Sequence, residues 1–177
     1  MNNILDSEDL DIPEDLLKRF MRRTFFNAII SYIISLVFLY AFMRIAFGDS
    51  SIETWINIIL HWHSLIFFPM LILATRKTSN YIGKLIAFRK INSFVGFLGI
   101  LYTSMFITAI SSYLIFYAIH ELFVGNTGGV EIYLRFFVMN ALLVLFPFLF
   151  LAIIFGEDLR TKRNELSSRL QNPKKDS

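Results

Sequence analysis

"FFNAIISYIISLVFLYAFMRIAF", residues 25–47, contains one cation, no carboxylate, no glycine and no proline. A helix rising 1.5 Å per residue needs about 20 residues to cross roughly 30 Å of hydrocarbon, and this stretch is long enough. In lipid no water satisfies backbone groups, so a helix is the expected form. Three further apolar stretches have comparable length: 52–75, 93–119 and 132–155. With 55% hydrophobic residues and 20 Phe among 177, the excess is too continuous for the core of a soluble domain. The reading is an all-α membrane protein with four transmembrane helices in a bundle. Residues 25–155 form the transmembrane domain, flanked by an N-terminal segment, 1–24, and a C-terminal tail, 156–177.

Charge fixes the expected orientation. Lys18, Arg19, Arg22 and Arg23 precede the first stretch, Arg76, Lys77, Lys84, Arg89 and Lys90 lie between the second and third, and Arg160, Lys162, Arg163, Arg169, Lys174 and Lys175 follow the fourth. Only Arg44 and Arg135 fall on the opposite side, so the positive-inside rule places both termini and the middle loop in the cytoplasm. In a bacterium the membrane is the inner, plasma membrane. The acids between Asp6 and Asp15 argue against a cleavable signal, and the absence of cysteine excludes disulfides and thiolate metal sites.

The flanking segments carry their own patterns. In "DIPEDLLKRFMRR", residues 11–23, Asp11 and Glu14 mark a helix start, and Leu16, Leu17, Phe20 and Met21 share a face opposite the cations. This is either a short amphipathic helix on the cytoplasmic leaflet or an early start of the first membrane helix. In the middle loop, Tyr81, Ile82, Leu85 and Ile86 can line a second short amphipathic helix; the alternative is ordinary snorkelling of the loop cations. Leu159, Leu166 and Leu170 allow the fourth helix to project past the membrane.

Polar residues within the apolar stretches are the candidates for chemistry. Glu53, Asn57, His61 and Ser64 fall on one helical face, with Asn140 at similar depth on the fourth helix, and can line a polar cavity or pore. His63, two residues from His61, points about 200° away, so the two histidines cannot chelate one ion within a subunit. Packing is the plainer use of His61. Gly96, Gly99, Ser104, Thr108 and Ser112 form a small-residue row on the third helix, the pattern of a helix-packing seam. Asn27 and Ser31 are expected to bond a neighbouring helix, and Pro69 and Pro147 to bend theirs.

These ingredients argue against an enzyme. The central membrane zone offers no carboxylate and no cysteine, and no cofactor or metal set is expected. Nucleic acid is a poor partner for cations that topology already explains. The expected function is a non-enzymatic, homo-oligomeric membrane subunit, dimer to tetramer, that anchors, senses for or regulates a cytoplasmic protein. By analogy of architecture alone, such subunits belong to envelope-sensing or phage-defence operons. Contacts to that partner or to lipid headgroups are assigned to Lys18, Arg19, Arg22, Arg23, Lys84, Arg89, Lys90, Arg160, Lys162 and Arg163. The alternative is an ion channel or permeabilising pore lined by Asn57, His61 and Ser64.

Overall fold

The computed structural model describes residues 12–47, 62–123 and 144–171. They form four helices, α1 (Glu14–Phe47), α2 (Trp62–Ala87), α3 (Ser93–Phe123) and α4 (Leu145–Gln171), with no strand among the described residues. Glu14 and Asp15 in the first turn of α1 face the positive end of the helix dipole, and the Leu17 amide donates to the Pro13 carbonyl at 3.1 Å. Asn92 caps α3, its Oδ1 accepting from the Phe94 amide at 2.9 Å.

Each helix packs beside the next in sequence, and α4 closes back onto α1. The pairings run antiparallel. A Cβ on Gly83, late in α2, would lie 3.6 Å from the Met21 side chain, early in α1, and along α3 the Phe97 ring meets Phe155 whereas Tyr102, further on, meets the earlier Phe148 of α4. Between α2 and α3 the turn is tight: the Lys90 amide reaches the Leu85 carbonyl at 2.9 Å and the Arg89 amide the Ile86 carbonyl at 3.1 Å. That closure puts Arg89 in the left-handed region, φ 55°, where glycine is the usual occupant. At the centre, the Phe148 ring of α4 takes the edges of Tyr32 and Tyr102 at 5.6 and 5.5 Å, and Phe97, Ile100, Leu101 and Ala28 complete the buried core.

Two sequence expectations need correction. No separate amphipathic helix precedes the first apolar stretch, because α1 runs unbroken from Glu14. No proline or glycine interrupts it, and Thr24, which could compete with the backbone, returns its hydroxyl to the Phe20 carbonyl at 2.9 Å. The middle-loop segment is likewise the end of α2, since Thr75 and Thr78 donate back to the Leu71 and Ala74 carbonyls and leave the helix intact.

Among the described residues, two helices are long and apolar enough to cross a membrane. These spans are Glu14–Phe42, mean hydropathy 2.0, and Ser93–Ile115, mean hydropathy 1.8. The second and fourth apolar stretches enter the described structure only from residues 62 and 144 onward. Pro69 lies inside α2, whereas Pro147 falls in the first turn of α4 as described, where its missing amide is not required.

Candidate functional site at the basic end

The starts of α1 and α3 and the ends of α2 and α4 meet at one end of the molecule, and most of the described cations lie there. Arg23 and Asn27 are four residues apart on one face of α1, turned toward α4. Asp158 on α4 accepts from Arg23 Nε at 2.8 Å, from Arg23 Nη2 at 2.6 Å and from Asn27 Nδ2 at 3.0 Å. The forked hydrogen bond from Arg23, with that from Asn27, holds the Asp158 carboxyl below the usual carboxylate range despite partial burial. Chemically this is a clamp between the first and last helices. The other acids on α4 serve neighbouring cations, Glu157 taking Arg160 at 3.3 Å and Glu165 taking Lys162 at 2.7 Å.

On the side of α4 facing the α2–α3 turn the balance is different. Arg89 donates from Nη2 to the Ser167 hydroxyl at 3.1 Å. Arg163, one turn earlier on α4, has its Nε buried and without a hydrogen-bond partner. Burial, and then the nearby charges of Arg89 and Arg160, push the Arg163 guanidinium below its ordinary value. Two cations therefore stand close together here, with no carboxylate bonded to either among the described residues.

Between α1 and α4 lies an open groove of about 450 Å³, lined by Leu16, Arg19, Phe20, Arg22, Arg23, Phe26, Lys162, Glu165 and Leu166. Its floor is apolar and its rim basic. Arg22 also stands over the Phe26 ring, 5.5 Å from the centroid.

Of the residues singled out by sequence, Arg19, Arg22, Arg23 and Lys162 come together in this groove, and Arg89 and Arg163 beside the turn. Lys18 instead pairs along its own helix with Glu14 at 2.8 Å. In the small-residue row, Ser104, Thr108 and Ser112 are buried and donate to the Ile100, Ser104 and Thr108 carbonyls of their own helix. Across the seam the Tyr32 hydroxyl donates to the Leu101 carbonyl at 2.9 Å and meets Ser104. A Cβ on Gly99 would approach only Ile82, at 3.8 Å, whereas one on Gly96 would strike Ile86. Asn27 reaches α4 as expected, but Ser31 returns its hydroxyl to the Asn27 carbonyl. Glu53, Asn57, His61 and Asn140 lie outside the described residues, and Ser64 is described only as helical backbone.

Sequence reasoning missed Asp158. The signal was present: in "GEDLRTKR", residues 156–163, acids sit at the mouth of a basic helix, and Arg23 and Asn27 offer a matching donor face.

Fold and site together define a class: the described residues are helical apart from short connections, two of their helices are able to cross a membrane, and one end is dense in cations. No protein family, characterised protein or solved structure matches the chain.

Proposed function

We propose that the protein is a non-enzymatic membrane subunit with four spans, termini in the cytoplasm, whose basic end holds an acidic surface of a soluble partner. The observation that carries this reading is the Arg89–Arg163 pair: two neighbouring cations, Arg163 with a buried unbonded Nε and Arg89 itself in the left-handed backbone region. Such an arrangement costs stability inside the chain and is offset when a carboxylate arrives from outside. The projection of α4 through Gln171 supports it by giving the partner a rigid rod to grip. Support for membrane insertion comes from α1, where only 33% of the most apolar window is buried, far less than the core helix of a soluble protein would have.

The pore reading draws no support from the described residues, because the hydroxyls of the Ser104, Thr108 and Ser112 row bond back to the backbone of their own helix. Self-association remains part of the proposal. With Ser104 and its neighbours spent inside the chain, contact between copies would use exposed aromatics such as Phe106, Phe146 and Phe150. A particle mass of 20.7 kDa at every concentration in mild detergent would remove that part.

The test of docking is charge reversal. Arg89→Glu with Arg160→Glu, and separately Arg163→Glu, should abolish co-purification of the soluble partner while insertion and particle size stay unchanged. Raised salt should weaken the wild-type complex. Recovery of the same partner by both variants would sink the docking reading.

A further inference from the structure

We infer that the groove between α1 and α4 is a binding site for one anionic phospholipid, its phosphate held by Arg19, Arg22 and Lys162 and its first acyl carbons lying on Phe26. This inference rests on the reading of the chain as membrane-inserted, but not on any protein partner.

Charge complementarity selects the headgroup. Arg23 is committed to Asp158 and Lys162 shares Glu165, the one lining carboxylate, which leaves Arg19 and Arg22 as rim cations bonded to no carboxylate among the described residues. Two guanidiniums and an ammonium around one opening match a phosphate diester, since arginine offers a planar fork to paired oxygens and lysine a point charge. A zwitterionic lipid would bring its own cation into the same rim and gain less.

Depth selects a membrane lipid as the carrier of that phosphate. Arg19 lies six residues before Phe25, the first residue of the first apolar stretch, and Lys162 seven residues after Phe155, the last residue of the fourth. Both cations therefore stand about 10 Å beyond apolar helix, the height of the headgroup layer. Above them the face of α1 continues as Phe26, Ile30, Ile33 and Val37, spaced by three or four residues and each 43–63% exposed. The groove thus opens at its apolar end onto a strip that an acyl chain can follow, with Leu16 and Leu166 beneath the rim. A purely aqueous anion would have no use for that strip. Basic pockets between helices at the cytoplasmic face are where anionic headgroups gather.

The experiment uses the full chain, purified in mild detergent and titrated with phosphatidylglycerol or phosphatidylcholine, with bound lipid counted by native mass spectrometry. Wild type should retain one phosphatidylglycerol in preference to phosphatidylcholine. Arg19→Gln/Arg22→Gln/Lys162→Gln should weaken that retention by about a hundredfold, the loss expected for three basic contacts. A control that removes equal charge elsewhere at the same end, Lys77→Gln/Lys84→Gln/Lys90→Gln, should retain it. Equal loss in both variants would mean diffuse attraction and overturn the site, as would full retention by the groove variant. Helicity and particle mass of each variant are recorded. If the triple variant unfolds, Arg22→Lys alone decides: it keeps charge but loses the fork, and unchanged retention would count against the site. Displacement by inorganic phosphate at moderate concentration would assign the rim to a soluble anion and overturn the lipid reading, and displacement by an acidic peptide would do the same in favour of a protein. A chain that remains soluble after detergent removal refutes membrane insertion itself, whereas an inserted chain without lipid preference refutes only this inference.

Discussion

The carboxylate of Asp158 accepts three hydrogen bonds from two side chains of α1, and its 29% exposure leaves that set only partly screened. A surface ion pair contributes little, but a forked arginine contact with a further amide donor lies above that range. Arg23 is 46% exposed, so the contribution is discounted accordingly. Asp158→Asn should therefore lower stability by about 1–2 kcal/mol, read as a thermal midpoint in detergent at neutral pH. The sign of its pH dependence follows from the lowered carboxyl pKa. The unfolded group titrates near 3.8 and the folded one lower, so the stabilisation is fully present above that value. It is lost as pH falls through the folded pKa, because the unfolded chain then binds the extra proton. On acidification from about pH 6 to about pH 3, wild type should lose more stability than Asp158→Asn, the difference appearing only near and below the ordinary carboxylate value. Parallel pH profiles would show that the clamp does not couple folding to this proton.

Helices meet most closely where glycine allows it, and two glycines make opposite forecasts. A Cβ on Gly156 would stand 2.9 Å from the Phe94 Cα and 3.2 Å from its amide nitrogen, so α3 and α4 would have to separate. Backbone cannot yield as a side chain can. Gly156→Ala should cost about 1–3 kcal/mol by overpacking. Gly99→Ala meets only a methyl at 3.8 Å, and the gain in helix propensity should stabilise by about 0.5–1 kcal/mol. Thermal midpoints of the two variants that moved together would refute the packing of α3 against α4. Gly99 was legible in the sequence as part of a row on one helix, but Gly156 was not, because its role depends on a partner about sixty residues away in the chain. The same limit explains the other differences. Apolar length gave the existence of α1 and α3, since it is a local property. The union of "EDLLKRFMRR" with the apolar helix is not a local property, because amphipathic periodicity continues through it and nothing local says whether the axis bends. The groove was half visible: its cations were all named, yet their division between α1–α4 and the α2–α3 turn required the pairing of helices.

At the scale of the whole molecule the basic end gains meaning from its side of a membrane. The starts of α1 and α3 and the ends of α2 and α4 lie together because neighbouring helices run antiparallel, and this geometry alone gathers the cations named in three separate segments. If the chain crosses a bilayer four times, the gathered charge must face the cytoplasm, since Lys and Arg near the ends of spans set orientation and acids count for little. Asp49 and Glu131, together with Glu121 at the end of α3, then fall on the outer side. The chain contains no cysteine, so single cysteines report position without background. Ser50→Cys and Asn126→Cys should react with a membrane-impermeant thiol reagent on intact cells. Ser177→Cys and Lys90→Cys should react only after permeabilisation. The pair at Asn126 and Lys90 is the sensitive one, because α3 separates those positions and a single crossing must place them on opposite sides. Labelling of Lys90→Cys but not Asn126→Cys on intact cells would invert the molecule, putting the Arg89–Arg163 pair outside and denying it any cytoplasmic partner. Equal labelling of both before permeabilisation would mean that α3 does not cross, and its exposed side chains Phe106, Ile107, Ile110 and Leu114 would then need a protein surface in place of lipid to cover them.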